Sequence, residues 1–276
     1  MLRDRTRSAA ILAPPLILAL LLGRPAIAVV VVVAVVLAGL ETFRLLEAAG
    51  HPAFPLLGTV AGVVMALGDA VTALPGGSGL LLAAVAVVLI GVASLTRTDP
   101  RDGLASFATT TFGALYIGLL GFVSRLAASG IAPASDAPLS WLGEDRAWVL
   151  LLVLGVWSFD TGAYFAGRRF GRRPFMAHIS PAKTQEGVVG GAIAATIVSA
   201  LMTLLLGRGL LPGLVLGPIV AGAAQAGDLA ESMLKRAAGA KDSGTLIPGH
   251  GGILDRIDSF LFAAPVVFLY VVTVLR

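Results

Sequence analysis

Long apolar runs, separated by short polar or glycine- and proline-containing segments, dominate the chain. A helix needs roughly 20 mostly apolar residues to cross the hydrocarbon core of a bilayer, or about 17 when its neighbours bury it in protein. We count nine runs that are candidates for such helices: Ala9 to Leu22, Pro25 to Leu45, Phe54 to Leu74, Gly79 to Leu95, Ser106 to Ala127, Arg146 to Ala166, Gly187 to Leu206, Leu210 to Leu229 and Ile257 to Leu275. The pattern predicts an all-α, polytopic integral membrane protein with about nine transmembrane helices.

The first run allows a second interpretation. Arg3, Arg5 and Arg7 precede it, as basic residues precede the apolar core of a signal peptide. Pro14 and Pro15 interrupt the run, however, and no small-residue cleavage site stands before the next run. We therefore favour a spanning helix over a signal peptide.

The composition supports a membrane protein. Hydrophobic residues make up 57% of the chain and charged residues 13%, with a mean hydropathy of +0.92, whereas soluble domains carry about 25% charged residues. So little charge also excludes a disordered chain. The chain has no cysteine, so disulfides and thiolate metal sites are excluded and any site must use oxygen and nitrogen ligands.

The positions of the basic residues predict the orientation, because Lys and Arg concentrate in cytoplasmic loops. With nine spans and a cytoplasmic N-terminus, 15 of the 20 basic residues fall on the cytoplasmic side. This bias predicts a multi-pass protein of the cell (inner) membrane with its N-terminus in the cytoplasm. It also explains the net charge of +4 without a nucleic-acid partner.

Ionisable residues inside the predicted spans concentrate in the last four. Asp160, Asp228 and Asp258 lie toward the cytoplasmic ends of spans six, eight and nine. A carboxylate within a bilayer is costly, and it indicates a functional site unless it reaches the interface as a helix-end charge. We therefore divide the chain into an N-terminal hydrophobic region, residues 1–140 with about five spans, and a C-terminal catalytic region, residues 141–276, whose site faces the cytoplasm.

The densest polar stretch begins at Asp228. By their spacing Asp228, Glu231 and Lys235 share one helix face, as residues at the end of an ordinary amphipathic helix also do. A loop with three glycines follows and leads into Asp255 and Asp258, one helical turn apart. Paired carboxylates at a helix start suit Mg²⁺, and the exposed N–H groups there suit phosphate.

The loop between spans six and seven holds two kinds of polar sequence. Residues 180–187 mix Lys183 with hydroxyls, an amide and a carboxylate, which predicts triphosphate binding. A capped helix start, with Thr184 as N-cap and Gly187 at the third helical position, explains the same residues equally well. Four arginines upstream fit a positive-inside anchor: Arg168, Arg169, Arg172 and Arg173.

Cytoplasmic carboxylates faced by lysine, arginine, histidine and glycine-rich backbone suit the Mg²⁺-assisted transfer of a phosphorus group, because cations neutralise charge on phosphate oxygens. Neither GxxxxGK[ST] nor GxGxxG occurs in the chain. A nucleotide would therefore be held by the membrane helices and their loops.

Four short blocks near the C-terminus carry a specific spacing: Ser232 to Arg236, Lys241 to Gly244, Pro248 to Gly252 and Leu254 to Asp258. Together they resemble the signature of the phosphatidate cytidylyltransferases, or CDP-diglyceride synthases. Residues 160–164 with Gly167 and Gly171, and residues 180–187, are similar to the same family. Upstream of about residue 140 the chain carries no family-specific motif.

The resemblance implies a Mg²⁺-dependent nucleotidyltransferase of phospholipid biosynthesis, which converts CTP and phosphatidate to CDP-diacylglycerol and pyrophosphate. The implied catalytic residues, of which the three aspartates would hold the metal, are Asp228, Lys235, His250, Asp255 and Asp258. The implied substrate-binding residues are Asp160, Ser180, Lys183, Thr184, Glu186, Arg236, Lys241, Gly251, Gly252 and Arg256. His250 would orient pyrophosphate or donate a proton, and a loop-stabilising hydrogen bond is the alternative.

Two other functions are compatible with parts of the pattern. A CTP-dependent enzyme acting on an ether-lipid phosphate or a polyprenol would share the headgroup chemistry. An ion-coupled transporter would also place aspartates in membrane helices, but it would not need a His-Gly-Gly loop beside a basic cluster. A second cation and a homodimer are both compatible with the favoured interpretation.

Overall fold

The structure, a computed structural model, describes residues 14–68, 78–246 and 251–276. In these ranges residues 14–22 are helical, and nine further α-helices follow them. The helices are α1 (Arg24–Ala48), α2 (Pro55–Leu67), α3 (Ser78–Ser94), α4 (Pro100–Gly118), α5 (Gly121–Ala127), α6 (Gly143–Phe170), α7 (Gln185–Leu205), α8 (Leu210–Ala237) and α9 (Leu254–Val274). The same ranges contain no β-strand, so the predicted all-α class is confirmed.

Within the described residues, six helices are long and apolar enough to cross a membrane. They are Arg24–Ala48, Pro100–Ala127, Ser140–Phe170, Gln185–Leu205, Leu210–Ala237 and Leu254–Val274. Two shorter apolar helices, Pro55–Leu67 and Gly79–Ser94, correspond to the third and fourth predicted spans. The first predicted span lies partly outside the described residues, as does the end of the third, and the count of nine stays a prediction.

Two of the long helices extend beyond the predicted apolar runs because polar residues continue them. Helix α8 runs on to Ala237, eight residues beyond the predicted end at Leu229. Helix α6 begins with Glu144 and Asp145 in its first turn and ends with Arg168 and Arg169 in its last. These charges complement the helix dipole at each end.

The chain forms two compact units. The first unit comprises the described residues of Met1–Ser124 and Met233–Ile257. In it α1, α2 and α4 pack against one another. The ring of Phe43 is fully buried against Gly58 and Gly113, where a Cβ would overlap it. The predicted division at residue 140 is a different partition of the chain and stays a prediction.

The second unit comprises Arg125–Ser232 and Asp258–Arg276. In it α6 and α7 pack closely against each other. Small residues make this close approach possible, since a Cβ on Gly162 would lie 2.7 Å from the Cβ of Ala194, and a Cβ on Gly190 would overlap Ala166. The packing places the beginning of α7 beside the last turns of α6, where Asp160 lies.

Candidate active site

Three carboxylates gather in the second unit. One oxygen each from Asp228, Glu231 and Asp258 lies within 4.8 Å of the other two. Asp228 and Glu231 are one turn apart on α8, and Asp258 lies on α9. Gly227 allows the two backbones to meet, because a Cβ there would overlap the carbonyl of Asp258. A set of carboxylate oxygens at this spacing fits a hard divalent cation such as Mg²⁺.

A lysine and a fourth carboxylate accompany this group. Lys183 forms an ion pair with Asp228, and both side chains are partly buried. Asp160 interacts electrostatically with both members of that pair, and its own side chain is exposed. Four of the predicted site residues, Asp160, Lys183, Asp228 and Asp258, therefore lie together, with one cation among acidic groups.

The loop between α6 and α7 holds Lys183 in place by backbone hydrogen bonds. The Phe175 N–H donates to the Lys183 carbonyl at 2.8 Å, and the Gln185 N–H donates to the Arg173 carbonyl at 2.9 Å. The Lys183 N–H in turn donates to the carbonyl of Ser180 at 3.2 Å. Ser180, predicted to bind substrate, thus supports the turn that presents the lysine.

Two further residues predicted to bind substrate fix the start of α7. The Thr184 hydroxyl accepts the Gly187 N–H at 3.2 Å and is the N-cap of the helix. Glu186 accepts the N–H groups of Arg172 at 3.0 Å and Arg173 at 3.2 Å. The capped helix start, with Gly187 at the third helical position, is therefore present. Substrate binding by Thr184 and Glu186 stays a prediction.

A second cluster, in the first unit, is centred on Asp255. Its Oδ1 accepts a hydrogen bond from Lys235 Nζ at 2.6 Å. Its Oδ2 accepts the Ser243 N–H at 2.9 Å and the Gly252 N–H at 2.8 Å, and lies 2.8 Å from the Ser243 hydroxyl. Both oxygens of this carboxylate, predicted as a metal ligand, are thus engaged by protein donors, as is usual for a charge-assisted network.

The backbone conformation and contacts of Gly251 and Gly252 explain why glycine occupies these two positions. Gly251 has a φ of +76°, a conformation that residues with a Cβ rarely adopt, and a Cβ there would also overlap the Asp255 carboxylate. Gly252 donates its N–H to that carboxylate. The predicted residues Lys235, Gly251, Gly252 and Asp255 therefore form one group.

The remaining predicted residues are three cations and one histidine. Three cations are exposed, at Arg236, Lys241 and Arg256, and Arg236 donates to the Ala240 carbonyl at 3.3 Å. His250 lies outside the described residues.

Sequence reasoning left two buried acids out of the site. Glu231 is 1% exposed and belongs to the carboxylate group. Its position three residues after Asp228 on the same helix face could have identified it as a member of the group. Glu41 is 5% exposed and accepts hydrogen bonds from Ile253 and Leu254, next to the second cluster. The sequence feature that could have identified Glu41 is its position as a lone acid in the otherwise apolar part of the second predicted span.

Comparison with known proteins gives consistent matches. The Cytidylyltransferase family model matches residues 3–274. The chain is 36% identical over 231 residues to phosphatidate cytidylyltransferase 4, chloroplastic, of Arabidopsis thaliana, covering 79% of this chain and 58% of the relative. It is 35% identical over 248 residues to the phosphatidate cytidylyltransferase of Mycobacterium bovis, covering 85% and 76%.

A shorter match has higher identity. The chain is 44% identical over 123 residues to the phosphatidate cytidylyltransferase of Haemophilus influenzae, covering 42% of this chain and 43% of the relative. The chain thus spans about half the length of the Arabidopsis and Haemophilus relatives that it matches.

Proposed function

Since the chain belongs to the cytidylyltransferase family, as its motifs predicted, we propose that it is a membrane-embedded phosphatidate cytidylyltransferase. It converts CTP and phosphatidate to CDP-diacylglycerol and pyrophosphate. The observation that carries the proposal is the group of Asp228, Glu231 and Asp258 beside Lys183. Carboxylates and a cation at the ends of apolar helices suit the transfer of a phosphorus group to a lipid.

A divalent cation, Mg²⁺, is part of this proposal. Asp228, Glu231 and Asp258 would hold it, because one oxygen from each already lies within 4.8 Å of the others. When bound, the ion supplies positive charge that stabilises phosphate oxygens. The family resemblance implies Asp255 as a ligand too, and this stays a prediction. We propose that Asp255 also orients Lys235, since both of its oxygens accept hydrogen bonds from protein groups.

The chain's own residues bind and orient the two substrates. Lys183 and Lys235 each bind phosphate oxygens, and each lysine is held by an aspartate. The exposed cations Arg236, Lys241 and Arg256 attract phosphate groups of nucleotide and lipid.

The reaction needs no nucleophile from the protein. A phosphate oxygen of phosphatidate attacks the α-phosphorus of CTP, forming a new P–O bond. The bond from the α-phosphorus to the bridging oxygen breaks, and pyrophosphate leaves with that electron pair. The attacking oxygen already carries negative charge, so the protein has to hold the two substrates in line and offset their charge.

The orientation in the membrane is also proposed. The loop from Arg168 to Lys183 and the segment from Lys235 to Lys241 are basic, and basic loops face the cytoplasm. The site therefore opens to the cytoplasm, where CTP is available, and the N-terminus lies on the same side of the cell (inner) membrane.

An acceptor panel tests the proposed substrate. The purified full chain is incubated with CTP labelled in the cytosine ring, Mg²⁺ and one of three acceptors: phosphatidate, an ether-lipid phosphate or a polyprenyl phosphate. We expect labelled lipid chiefly with phosphatidate, and about 10²-fold less or lower still from the Asp258→Asn variant. Preferential labelling of either other acceptor would assign the chain to another lipid.

A further inference from the structure

A buried carboxylate near the end of α1, Glu41, is not among the residues that bind substrate or metal in the proposed reaction. Glu41 is 5% exposed, in a helix whose other residues from Arg24 to Leu40 carry no acid. A charged side chain in such surroundings is costly unless donors satisfy its oxygens.

The donors come from the glycine-rich loop and from the first turn of α9. Oε1 of Glu41 accepts the Ile253 N–H at 3.0 Å, and Oε2 accepts the Leu254 N–H at 2.8 Å. These N–H groups stand at the start of a helix, where no carbonyl of the same helix is available to them. Glu41 therefore caps α9 from a position 213 residues earlier in the chain.

The same carboxylate is linked to Asp255 through one hydroxyl. Ser243 Oγ lies 3.0 Å from Oε2 of Glu41 and 2.8 Å from Oδ2 of Asp255. Asp255 in turn accepts the hydrogen bond of Lys235 at 2.6 Å. A continuous set of contacts thus runs from α1 to the lysine.

Two glycines lie directly against Glu41. A Cβ on Gly252 would overlap the Glu41 carboxylate, and a Cβ on Gly244 would lie 2.8 Å from Oε1. The position of the Glu41 carboxylate therefore requires glycine at residues 244 and 252, independently of any ligand.

We propose that Glu41 is a positioning residue, which holds Ser243 and the first turn of α9 so that Asp255 keeps Lys235 in place. The proposal rests on the proposed function only in its last step, where Lys235 binds nucleotide phosphate. The hydrogen bonds themselves can be tested without any activity.

Hydrogen exchange followed by mass spectrometry tests the capping contact. We compare the wild-type chain with Glu41→Gln, and use Glu47→Gln, an exposed acid on the same helix, as the control. Glutamine offers one oxygen in place of two, so either Ile253 or Leu254 loses its acceptor. We expect the peptide that contains both amides to exchange about tenfold faster in Glu41→Gln alone, as for the loss of a buried hydrogen bond. Equal exchange in all three proteins would overturn the proposal.

A double-mutant cycle tests whether Gly252 is required by Glu41. Gly252→Ala is measured in the wild-type chain and in Glu41→Ala, with exchange of the same peptide as the readout. We expect Gly252→Ala to speed exchange about tenfold in the first background and less than about twofold in the second, because the shorter side chain leaves room for the Cβ. An equal effect in both backgrounds would overturn the proposal.

Kinetics test the link to Lys235. We expect kcat/KM for CTP to fall at least about tenfold in Glu41→Gln and to stay within about twofold of wild type in Glu47→Gln. Faster exchange with unchanged kcat/KM would contradict a positioning role and leave only a structural one. If the wild-type chain transfers no cytidylyl group, the proposed function fails, while the exchange measurements still decide whether Glu41 holds the loop.

Discussion

Lys183, in the loop before α7, forms an ion pair with Asp228 on α8. Each partner is the type of group that a charged ligand would engage, since an ammonium binds phosphate and a carboxylate binds a divalent cation. The pair brings the two opposite charges together and keeps the loop next to the carboxylate group. The contact therefore connects the proposed phosphate-binding lysine to the proposed metal site.

The first prediction separates this lysine from the arginines nearby. We expect Lys183→Met to lower kcat/KM for CTP on the order of 10²-fold, because it removes a charge that stabilises phosphate oxygens in the transition state. The matched control is Arg169→Met, an exposed cation on α6, with an expected change of less than about twofold. Steady-state kinetics on both purified variants provide the measurement. A severe loss in the arginine variant with a normal Lys183→Met would reverse the roles assigned to the two parts of this region.

Much of this site could be predicted because its chemistry is local in the sequence. Asp228 and Asp258 stand out as acids in apolar runs, and the spacing around Thr184 already allowed a capped helix. The hydrogen-bond partners of Asp255 were harder to predict from the sequence. Its hydrogen bond with Lys235 joins residues 20 positions apart across a glycine-rich loop, and hydropathy does not show which donors a carboxylate will meet.

The second prediction concerns the carboxylate group. We expect Asp228→Asn, Glu231→Gln and Asp258→Asn each to lower kcat by about 10²-fold or more and to raise the Mg²⁺ concentration for half-maximal activity. An amide offers one neutral oxygen where a carboxylate offers two that share a charge. Glu144→Gln, an exposed acid at the start of α6, is the control.

Metal binding itself distinguishes these variants from misfolded ones. Binding of Mn²⁺, followed by electron paramagnetic resonance, should weaken in the three variants and remain unchanged in Glu144→Gln. Wild-type Mn²⁺ affinity in Glu231→Gln would remove that residue from the proposed ligand set.

The third prediction uses two glycines of α8. A Cβ on Gly227 would overlap the Asp258 carbonyl, whereas a Cβ on Gly222 meets nothing within 4 Å. We expect Gly227→Ala to lower the thermal midpoint by several degrees and to reduce activity at least about tenfold, because the two helices must separate at the carboxylate group. Gly222→Ala should be neutral or stabilising by up to about 1 kcal/mol. Equal midpoints for the two variants would show that the close approach at Gly227 is not required.

The bounds of α8 and α2 and the contacts of Glu41 show which structural features apolar runs predict and which they do not. The run from Leu210 to Leu229 located α8 correctly at its start, but the helix continues to Ala237 because its polar residues still have neighbours to pack and pair with. The run from Phe54 to Leu74 predicted a span, of which the structure describes α2, Pro55–Leu67, while residues 69–74 lie outside the described ranges. Glu41 was missed because its partners lie more than 200 residues away, and a single sequence does not show such a contact.

The fourth prediction concerns orientation. The chain has no cysteine, so single substitutions can be labelled selectively. In intact cells, a membrane-impermeant maleimide should label Ser135→Cys, in an exposed loop before α6, and should not label Arg172→Cys. The second variant should react only after the membrane is made permeable. Labelling of Arg172→Cys in intact cells would place the basic loop outside and contradict a cytoplasmic site.

The most direct test of the account follows the individual phosphates of CTP. The purified full chain is incubated with phosphatidate and Mg²⁺, together with CTP labelled either at the α-phosphorus or at the γ-phosphorus. Attack on the α-phosphorus predicts that the α-label appears in the lipid fraction and the γ-label in free pyrophosphate, in equal amounts. Transfer of the γ-label to lipid, or release of pyrophosphate without labelled lipid, would contradict the proposed cytidylyl transfer.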